Sequence, residues 1–316
     1  MKAVVIEVFG GRDQLKIVER PVPDPKPGEV QIRIKAAGVN PVDWKIRVGL
    51  LKDVMPHVFP IILGWDAAGV VTAVGPQVDR LTVGDEVYAY CRKDTVQDGA
   101  YAEFIVLPEN NIALKPKNVS FEEAATIPLA ALTAYQSLID AAHLKSGERI
   151  VIHAAAGGVG GFAVQIAHGL GAYVIGTASH QNHAYVRSLG AEEVIDYTQH
   201  DVSQTVKSLY PEGVDVVYDC VGGQPLEQAR LLIKPEGRIV TIVDPAQAQI
   251  LQDQGLNAQF VFVAPHAQQL LELTRMVEAG QLRTEVSARL PLEEVVKAHE
   301  LIETHHTKGK IVLTVA

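Results

Sequence analysis

Residues 149–170 read RIVIHAAAGGVGGFAVQIAHGL. The apolar run at residues 150–152 predicts a short strand, small residues then interrupt it, and apolar residues resume at helical spacing from Phe162. In a strand, turn and helix of this kind, glycine lets the backbone approach a diphosphate closely. The unpaired amides of the first helical turn point at that anion. The segment therefore predicts a dinucleotide site.

The glycine pattern itself reads Ala155-x-Gly157-x-x-Gly160, with alanine at the first position of the usual G-x-G-x-x-G fingerprint. Glycine clusters also serve as ordinary loop breakers. The strand before the turn and the helix after it favour nucleotide binding. We expect the diphosphate to contact Ala155, Gly157, Gly158, Val159 and Gly160.

Composition limits the class of protein. A chain of 316 residues suggests about two domains. The net charge of −9 argues against a nucleic acid or an anionic membrane as the main partner. Only Cys91 and Cys220 are present, too few for a disulfide framework. There is no signal-peptide pattern and no apolar stretch long enough to cross a bilayer, so a reducing cytoplasm is expected.

The first part of the chain has the signals of a β-rich domain. Val30, Ile32 and Ile34 alternate with polar residues, which is the period of a half-buried strand. Further strands are predicted at residues 3–8, 69–74, 86–90 and 102–106. Glycine and proline separate these short segments, as is typical of a compact barrel.

From about residue 121 the pattern becomes α/β. Residues 122–142 read as helical, and strands are predicted at residues 149–152, 173–176, 194–195, 214–218, 238–243 and 260–263. This alternation predicts a doubly wound parallel sheet, whose ligands lie beyond the carboxyl ends of the strands. Helices at residues 266–278 and 292–303 and a strand at residues 310–315 follow. We expect this tail to return to the first domain.

The end of the second parallel strand bears on the choice of nucleotide. Sites that prefer NAD usually place an acid there to hold the ribose hydroxyls. This chain has GTASH at residues 176–180 and no acid, which leaves room for the 2′-phosphate of NADPH. Ser179, His180 and Tyr197 are candidate donors to that phosphate. Alternatively, Ser179 only caps the next helix and Tyr197 only packs on the surface.

Several motifs together resemble one family, the zinc-independent quinone oxidoreductases and enone reductases of the medium-chain dehydrogenase/reductase superfamily. They are AAGVNPVD at residues 36–43, GWDAAG at 64–69, GDEV at 84–87, LTAY at 132–135, AAAGGVG at 154–160, LGA at 189–191, VIDY at 194–197, DCVGG at 219–223 and GKIV at 309–312. The combination is specific for the family but does not distinguish substrates.

The resemblance implies a GroES-like β-barrel domain, residues 1–122 with 266–316, and a Rossmann domain, residues 123–265. It also implies NADPH as cofactor and a homodimer in which residues 260–263 join the sheets edge to edge. Asn40, Lys45 and Thr133 match catalytic positions, and backbone groups at Phe262 and Val263 match contacts to the nicotinamide. Together, the expected cofactor contacts are Ala155, Gly157, Gly158, Val159, Gly160, Thr177, Ser179, His180, Tyr197, Val221, Phe262 and Val263.

No metal is expected at the substrate site. Asn40 stands where zinc-dependent relatives have cysteine, and Trp65-Asp66 replaces their His-Glu pair, so the soft donors are missing. The His299-Glu300 pair lacks the second histidine of a metalloprotease motif. The remaining histidines, including His305 and His306, are expected in solvent.

The implied reaction transfers hydride from NADPH to a quinone or to the β-carbon of an α,β-unsaturated carbonyl. Negative charge then develops on oxygen, and a nearby donor lowers the barrier. Asn40 is one candidate donor. Lys45 is a second, although it also fits an exposed lysine on a turn, and Thr133 is expected beside the nicotinamide. Two alternatives remain: a non-catalytic NADP(H)-binding redox sensor or structural protein, and a zinc alcohol dehydrogenase.

Overall fold

The structure is a computed structural model that describes residues 1–304 and 307–315, so His305 and His306 lie outside the described residues. The strands, in chain order, are β1 Lys2–Ile6, β2 Lys16–Glu19, β3 Glu29–Val39, β4 His57–Ile62, β5 Asp66–Val74, β6 Glu86–Tyr90, β7 Val96–Asp98, β8 Phe104–Pro108, β9 Ile112–Leu114, β10 Arg149–Ile152, β11 Tyr173–Thr177, β12 Glu193–Ile195, β13 Val214–Asp219, β14 Ile233–Thr241, β15 Asn257–Phe260, β16 Val286–Pro291 and β17 Lys310–Thr314. The α-helices are α1 Pro41–Arg47, α2 Phe121–Ala124, α3 Pro128–Tyr135, α4 Gly158–Gly169, α5 His183–Ser188, α6 Val202–Leu209, α7 Gly223–Gln228, α8 Pro245–Asp253, α9 Ala267–Glu278 and α10 Val295–Glu303.

The chain divides into two compact units. The first consists of Met1–Leu132, Ala264–Gly280 and Thr284–Ala316, and the second of Thr133–Val263 and Gln281–Arg283. The first unit is therefore built from segments that are far apart in the sequence. None of the helices in the described part of the chain combines the length and apolar character needed to cross a membrane.

The first unit is a β-barrel of the GroES-like class, with β3 at its centre. The main sheet has the order β16-β17-β3-β5-β6-β9, and β8 also pairs with β3. Val30, Ile32 and Ile34 are all buried, as their alternation predicts. β17 pairs antiparallel with β3, placing Ile311 opposite Val39. This pairing brings the end of the chain beside the residues that precede α1.

The second unit is a parallel sheet with the order β12-β11-β10-β13-β14-β15. The chain enters at β10, runs outward through β11 and β12, and returns to β13 on the other side of β10. The direction of strand addition thus reverses beside β10. In open α/β sheets this switch point is where ligands bind, at the carboxyl ends of the strands.

Several predicted elements differ from the structure in their bounds, and two of the differences have a clear physical cause. The helical run at residues 122–142 is interrupted, because Pro128 has no amide hydrogen and starts a new helix, and residues 136–141 form a wider π-helical turn. The strand predicted at residues 260–263 is instead Asn257–Phe260. It ends there because its neighbour β14 stops at Thr241, and the Val261 amide makes the last bond, 2.9 Å to the Thr241 carbonyl.

Candidate functional site

The glycine turn connects β10 to α4 in the middle of the parallel sheet. Gly157 precedes the helix with extended backbone angles, φ −76° and ψ 175°, and no side chain caps the helix start. The amides of the first turn of a helix have no acceptor within the helix. Gly157, Gly158 and Val159 are only half-buried. The turn therefore presents unpaired N–H groups and the positive end of the helix dipole at an accessible surface.

Close backbone packing explains why glycine occupies this turn. A β-carbon on Gly160 would lie 2.2 Å from the carbonyl oxygen of Ala154, far inside contact distance. A β-carbon on Gly176, at the end of β11, would lie 2.9 Å from that of Ala155. The Ala155 amide donates to the Thr177 carbonyl at 3.0 Å. The turn is therefore held against the end of β11, and the alanine in the fingerprint is accommodated by Gly176.

The end of β13 forms the other side of the switch point. The buried carboxylate of Asp219 accepts the amides of Val221 and Gly222 at 3.1 and 3.0 Å. It also accepts the Thr241 hydroxyl at 2.7 Å. Asp219 thereby fixes the loop, and the Val221 side chain stays exposed. The sequence motif at residues 219–223 contained this acid, but the motif alone did not reveal its structural role.

The expected 2′-phosphate residues lie beyond β11 and β12. The Ser179 hydroxyl makes no capping bond to a backbone amide. It accepts instead from the Asn182 side chain at 3.2 Å. His180 is exposed, and Tyr197 is 54% exposed. Ser179 is half-buried, and no acid stands between Thr177 and His180 at the end of β11.

His153 corrects the expectation that the remaining histidines lie in solvent. It is buried at the end of β10, with Nδ1 3.4 Å from the Thr177 hydroxyl. Burial lowers the pKa of His153, so the neutral imidazole is favoured. His299 is buried as well, in the first unit.

Two predicted cofactor contacts, Phe262 and Val263, follow the edge strand, and the predicted catalytic residue Thr133 belongs to α3. Phe262 lies beyond β15 and is 40% exposed, whereas Val263 is buried. The Phe260 and Phe262 rings stack with centroids 6.4 Å apart. Thr133 is buried within α3. The structure thus places these three residues on two separate segments.

A buried polar network surrounds Asn40 in the first unit. The Asn40 amide nitrogen donates to Asp66 Oδ2 at 2.8 Å, and Lys310 Nζ donates to the amide oxygen of Asn40. Lys310 Nζ also lies 3.5 Å from Asp66 Oδ2. An amide between an ammonium and a carboxylate has only one favourable orientation. Lys310 and Asp66 therefore orient Asn40 and leave one N–H of its amide for a further acceptor.

Asp66 is itself fixed by its second oxygen. Asp66 Oδ1 accepts the Leu129 amide at 2.7 Å. Burial raises the pKa of Asp66, and the nearby Lys310 ammonium opposes that effect. Burial also lowers the pKa of Lys310, which the Asp66 charge opposes. Each charge is thus tolerable in the interior only beside the other.

Asp43 adds a second buried acid to this region. Its Oδ2 accepts the Asn40 backbone amide and the Tyr101 hydroxyl, each at 2.8 Å. Its Oδ1 is buried without a hydrogen-bond partner. Burial raises the pKa of Asp43 to about 7. The carboxyl therefore exchanges its proton near neutral pH, next to the backbone of Asn40.

Helix α1 carries Lys45 and is anchored at its end by Arg47. The Arg47 guanidinium is buried and lies 2.9 Å from both Glu303 Oε1 and His299 Nδ1. Burial, with the charge of Arg47, lowers the pKa of His299 to about 3, so its ring accepts from Arg47 as a neutral group. Lys45 is half-buried, and burial lowers the pKa of its ammonium.

Gly160→Ala tests the backbone packing of the turn. We expect it to lower the free energy of unfolding by about 1–3 kcal/mol, because the added methyl meets a backbone carbonyl that cannot move aside. Gly157→Ala is the control, since its β-carbon would lie 3.2 Å from the same oxygen, and it is expected to stay within about 0.5 kcal/mol of the parent. Urea denaturation measures both. Equal losses would show that this packing is not the constraint.

Asp43→Asn tests the buried acid. Because burial raises the pKa of Asp43 from 3.8 to about 7, the folded protein holds a proton that the unfolded chain has released between these values. The parent should therefore lose stability relative to Asp43→Asn as pH rises through this window. Asparagine keeps an oxygen for both hydrogen bonds. Denaturation midpoints across pH give the comparison, with exposed Asp53→Asn as control. Parallel profiles for parent and Asp43→Asn would contradict the assignment.

Comparisons with known proteins agree with this architecture. The family described as alcohol dehydrogenase GroES-like domain matches residues 26–117, and the family described as zinc-binding dehydrogenase matches residues 189–313. The chain is 36% identical to a chloroplastic quinone-oxidoreductase homolog of Spinacia oleracea, over 96% of this chain and 95% of the relative.

Two further relatives carry more specific descriptions. The chain is 36% identical to a chloroplastic NADPH-dependent alkenal/one oxidoreductase of Arabidopsis thaliana, over 99% of this chain and 79% of the relative. The crystal structure of Escherichia coli quinone oxidoreductase complexed with NADPH superposes with a TM-score of 0.89 at 31% identity, covering 100% of both chains. The chain belongs to the zinc-independent quinone oxidoreductase and enone reductase branch of the medium-chain dehydrogenase/reductase superfamily.

Proposed function

We propose that this chain is an NADPH-dependent oxidoreductase that transfers hydride to a quinone or to the β-carbon of an α,β-unsaturated carbonyl. The observation that carries the proposal is the uncapped start of α4 at the switch point of the sheet, beside a β11 end that lacks an acid. The relatives described as a quinone-oxidoreductase homolog and as an NADPH-dependent alkenal/one oxidoreductase support it.

The second unit is proposed as the dinucleotide-binding domain. The amides of Gly158, Val159 and Gly160 are assigned to the diphosphate, because they begin a helix that has no side-chain cap. Ser179, His180 and Tyr197 are assigned to the 2′-phosphate as hydrogen-bond donors. Thr177, Val221, Phe262 and Val263 are assigned to the rest of the cofactor, together with Ala155 and Gly157 of the turn.

The first unit is proposed as the substrate domain, with Thr133 of the second unit assigned beside the nicotinamide. Bound NADPH supplies the hydride. Asn40 has one amide N–H left after its bond to Asp66, and we assign that N–H to the acceptor oxygen. The Lys45 ammonium is assigned to the negative charge that develops on the same oxygen, because partial burial strengthens such an interaction. The matching proton comes from solvent or from a titratable group of the site.

A catalytic zinc does not fit the residues around Asn40. The region offers the Asn40 amide and the carboxylates of Asp66 and Asp43, and a buried ammonium already contacts Asn40 and Asp66. Zinc prefers thiolate and imidazole ligands, and a cation is repelled by an adjacent ammonium. We therefore propose that the Lys310 ammonium supplies the positive charge in this region, and we derive no step that involves a metal.

The cellular setting is also a proposal. Two cysteines, one of them buried, fit a reducing cytoplasm, although relatives described as chloroplastic are similar over most of the chain.

We propose a homodimer that pairs through β15, an outer strand of the parallel sheet. Pairing would cover its exposed backbone edge.

An acceptor panel tests the activity. We expect NADPH oxidation with 1,4-quinones, with short enones or with both, at rates well above the rate without acceptor, whereas simple aldehydes should be poor acceptors. Absorbance of the reduced nicotinamide measures the rates. Added chelator should leave them unchanged. Tight NADPH binding with no rate above background for any acceptor would favour the non-catalytic redox sensor or structural protein.

Ser179→Asp tests the 2′-phosphate assignment. We expect the parent to bind NADPH more tightly than NADH. In the variant the ratio of the two affinities should fall at least about tenfold, because a carboxylate replaces a hydrogen-bond donor beside the 2′-phosphate. Titration of intrinsic fluorescence with each nucleotide measures the two dissociation constants. Ser208→Asp, exposed on α6, adds the same charge elsewhere and should leave the ratio unchanged. Equal parent affinities for the two nucleotides would contradict the assignment.

A further inference from the structure

Three metal-ligating side chains meet beyond the ends of β11 and β12. One nitrogen each from His180 and His183 and one carboxylate oxygen of Asp196 all lie within 4.8 Å of one another. The two imidazole rings are 5.3 Å apart between centroids and are tilted relative to each other rather than stacked. His180 and His183 come from one short segment, whereas Asp196 follows the neighbouring strand. Two loops at the edge of the sheet thus bring three donors to one point.

His183 and Asp196, the two less exposed donors, are each held in place by hydrogen bonds through one of their polar atoms. His183 Nε2 lies 3.2 Å from the Ala178 carbonyl. A carbonyl only accepts, so this bond places the ring hydrogen on Nε2 and leaves the lone pair of Nδ1 free. Asp196 Oδ1 accepts the backbone amide and the hydroxyl of Thr198 at 2.9 and 2.7 Å. These bonds leave Asp196 Oδ2 as the second, free carboxylate oxygen.

This arrangement shares two features with metal sites in proteins. Histidine ligands usually donate their second nitrogen to a backbone carbonyl or a carboxylate, and carboxylate ligands are themselves hydrogen-bonded. Both conditions are met by His183 and Asp196 without an ion. His180 is exposed and can turn its ring toward the other two groups at little cost.

We propose that His180, His183 and Asp196 bind a divalent transition-metal ion of the Zn²⁺ or Co²⁺ class. Two imidazole nitrogens and one carboxylate oxygen suit these ions, whereas Mg²⁺ and Ca²⁺ prefer oxygen ligands throughout. Three protein ligands occupy three of the four coordination positions of a tetrahedral metal ion and leave the fourth for water or an anion. The site is separate from the Asn40 network, which lies in the other unit.

Zn²⁺ binding to the cofactor-free chain tests the proposal. The protein is used without an affinity tag and without phosphate, because His180 is also assigned to the 2′-phosphate. Isothermal titration with Zn²⁺ should give one ion per chain. His180→Ala, His183→Ala and Asp196→Asn should each weaken binding by at least about tenfold, since even outer-shell partners are worth 10–100-fold. The visible spectrum of bound Co²⁺ should change in the same variants.

His168→Ala is the matched control, because His168 is an exposed histidine of the same unit that pairs with Glu192 at 3.5 Å. It should bind Zn²⁺ like the parent. Circular dichroism confirms that each variant is folded. His180→Ala carries the test even if the other variants are unstable, because its side chain is exposed. An affinity unchanged by His180→Ala, or equally weakened by His168→Ala, would overturn the proposal.

Discussion

The contact between the Gly160 backbone and the Ala154 carbonyl is the constraint on which the second unit depends. A β-carbon would lie 2.2 Å from that oxygen, so only glycine lets α4 begin so close to the end of β10. Gly176 of β11 likewise leaves room for the β-carbon of Ala155. The helix start is thereby fixed at the switch point of the sheet, and no side chain caps its first amides. A helix start of this kind favours an anion.

The first unit has a different constraint, because it must stabilise charged side chains in its interior. Lys310 and Asp66 offset each other, and both fix the Asn40 amide between them. Asp43 keeps its proton up to about neutral pH, because burial raises its pKa to about 7. Removing one partner of a buried ion pair leaves an uncompensated charge, which is far more costly than the pair is worth. The network therefore explains how this barrel orients the Asn40 amide.

The sequence predicted the elements that local pattern controls. The alternation in β3, the run of β10 and the small residues before α4 predicted the two fold classes and the strand, turn and helix of residues 149–169. The predictions were wrong where contacts with distant residues decide the outcome. The strand predicted at residues 260–263 already ends at Phe260, because its neighbour β14 stops at Thr241. His153 is buried, with its ring beside the Thr177 hydroxyl. The position of Asn40 in a motif identified it as a candidate. Its partner Lys310 is 270 residues away in the sequence. The only sequence signal for Lys310 is that it is the single charged residue of the apolar strand β17. The histidine and aspartate cluster likewise needs the pairing of β11 with β12.

The most direct measurement is a crystal structure of this chain grown with saturating NADPH. We predict that the diphosphate oxygens accept hydrogen bonds from the backbone amides at the start of α4, near Gly158 and Gly160, and that the 2′-phosphate lies beyond β11 beside Ser179. A fully occupied NADPH bound elsewhere, with this helix start facing only water, would contradict the claim that the glycine turn is a dinucleotide cradle.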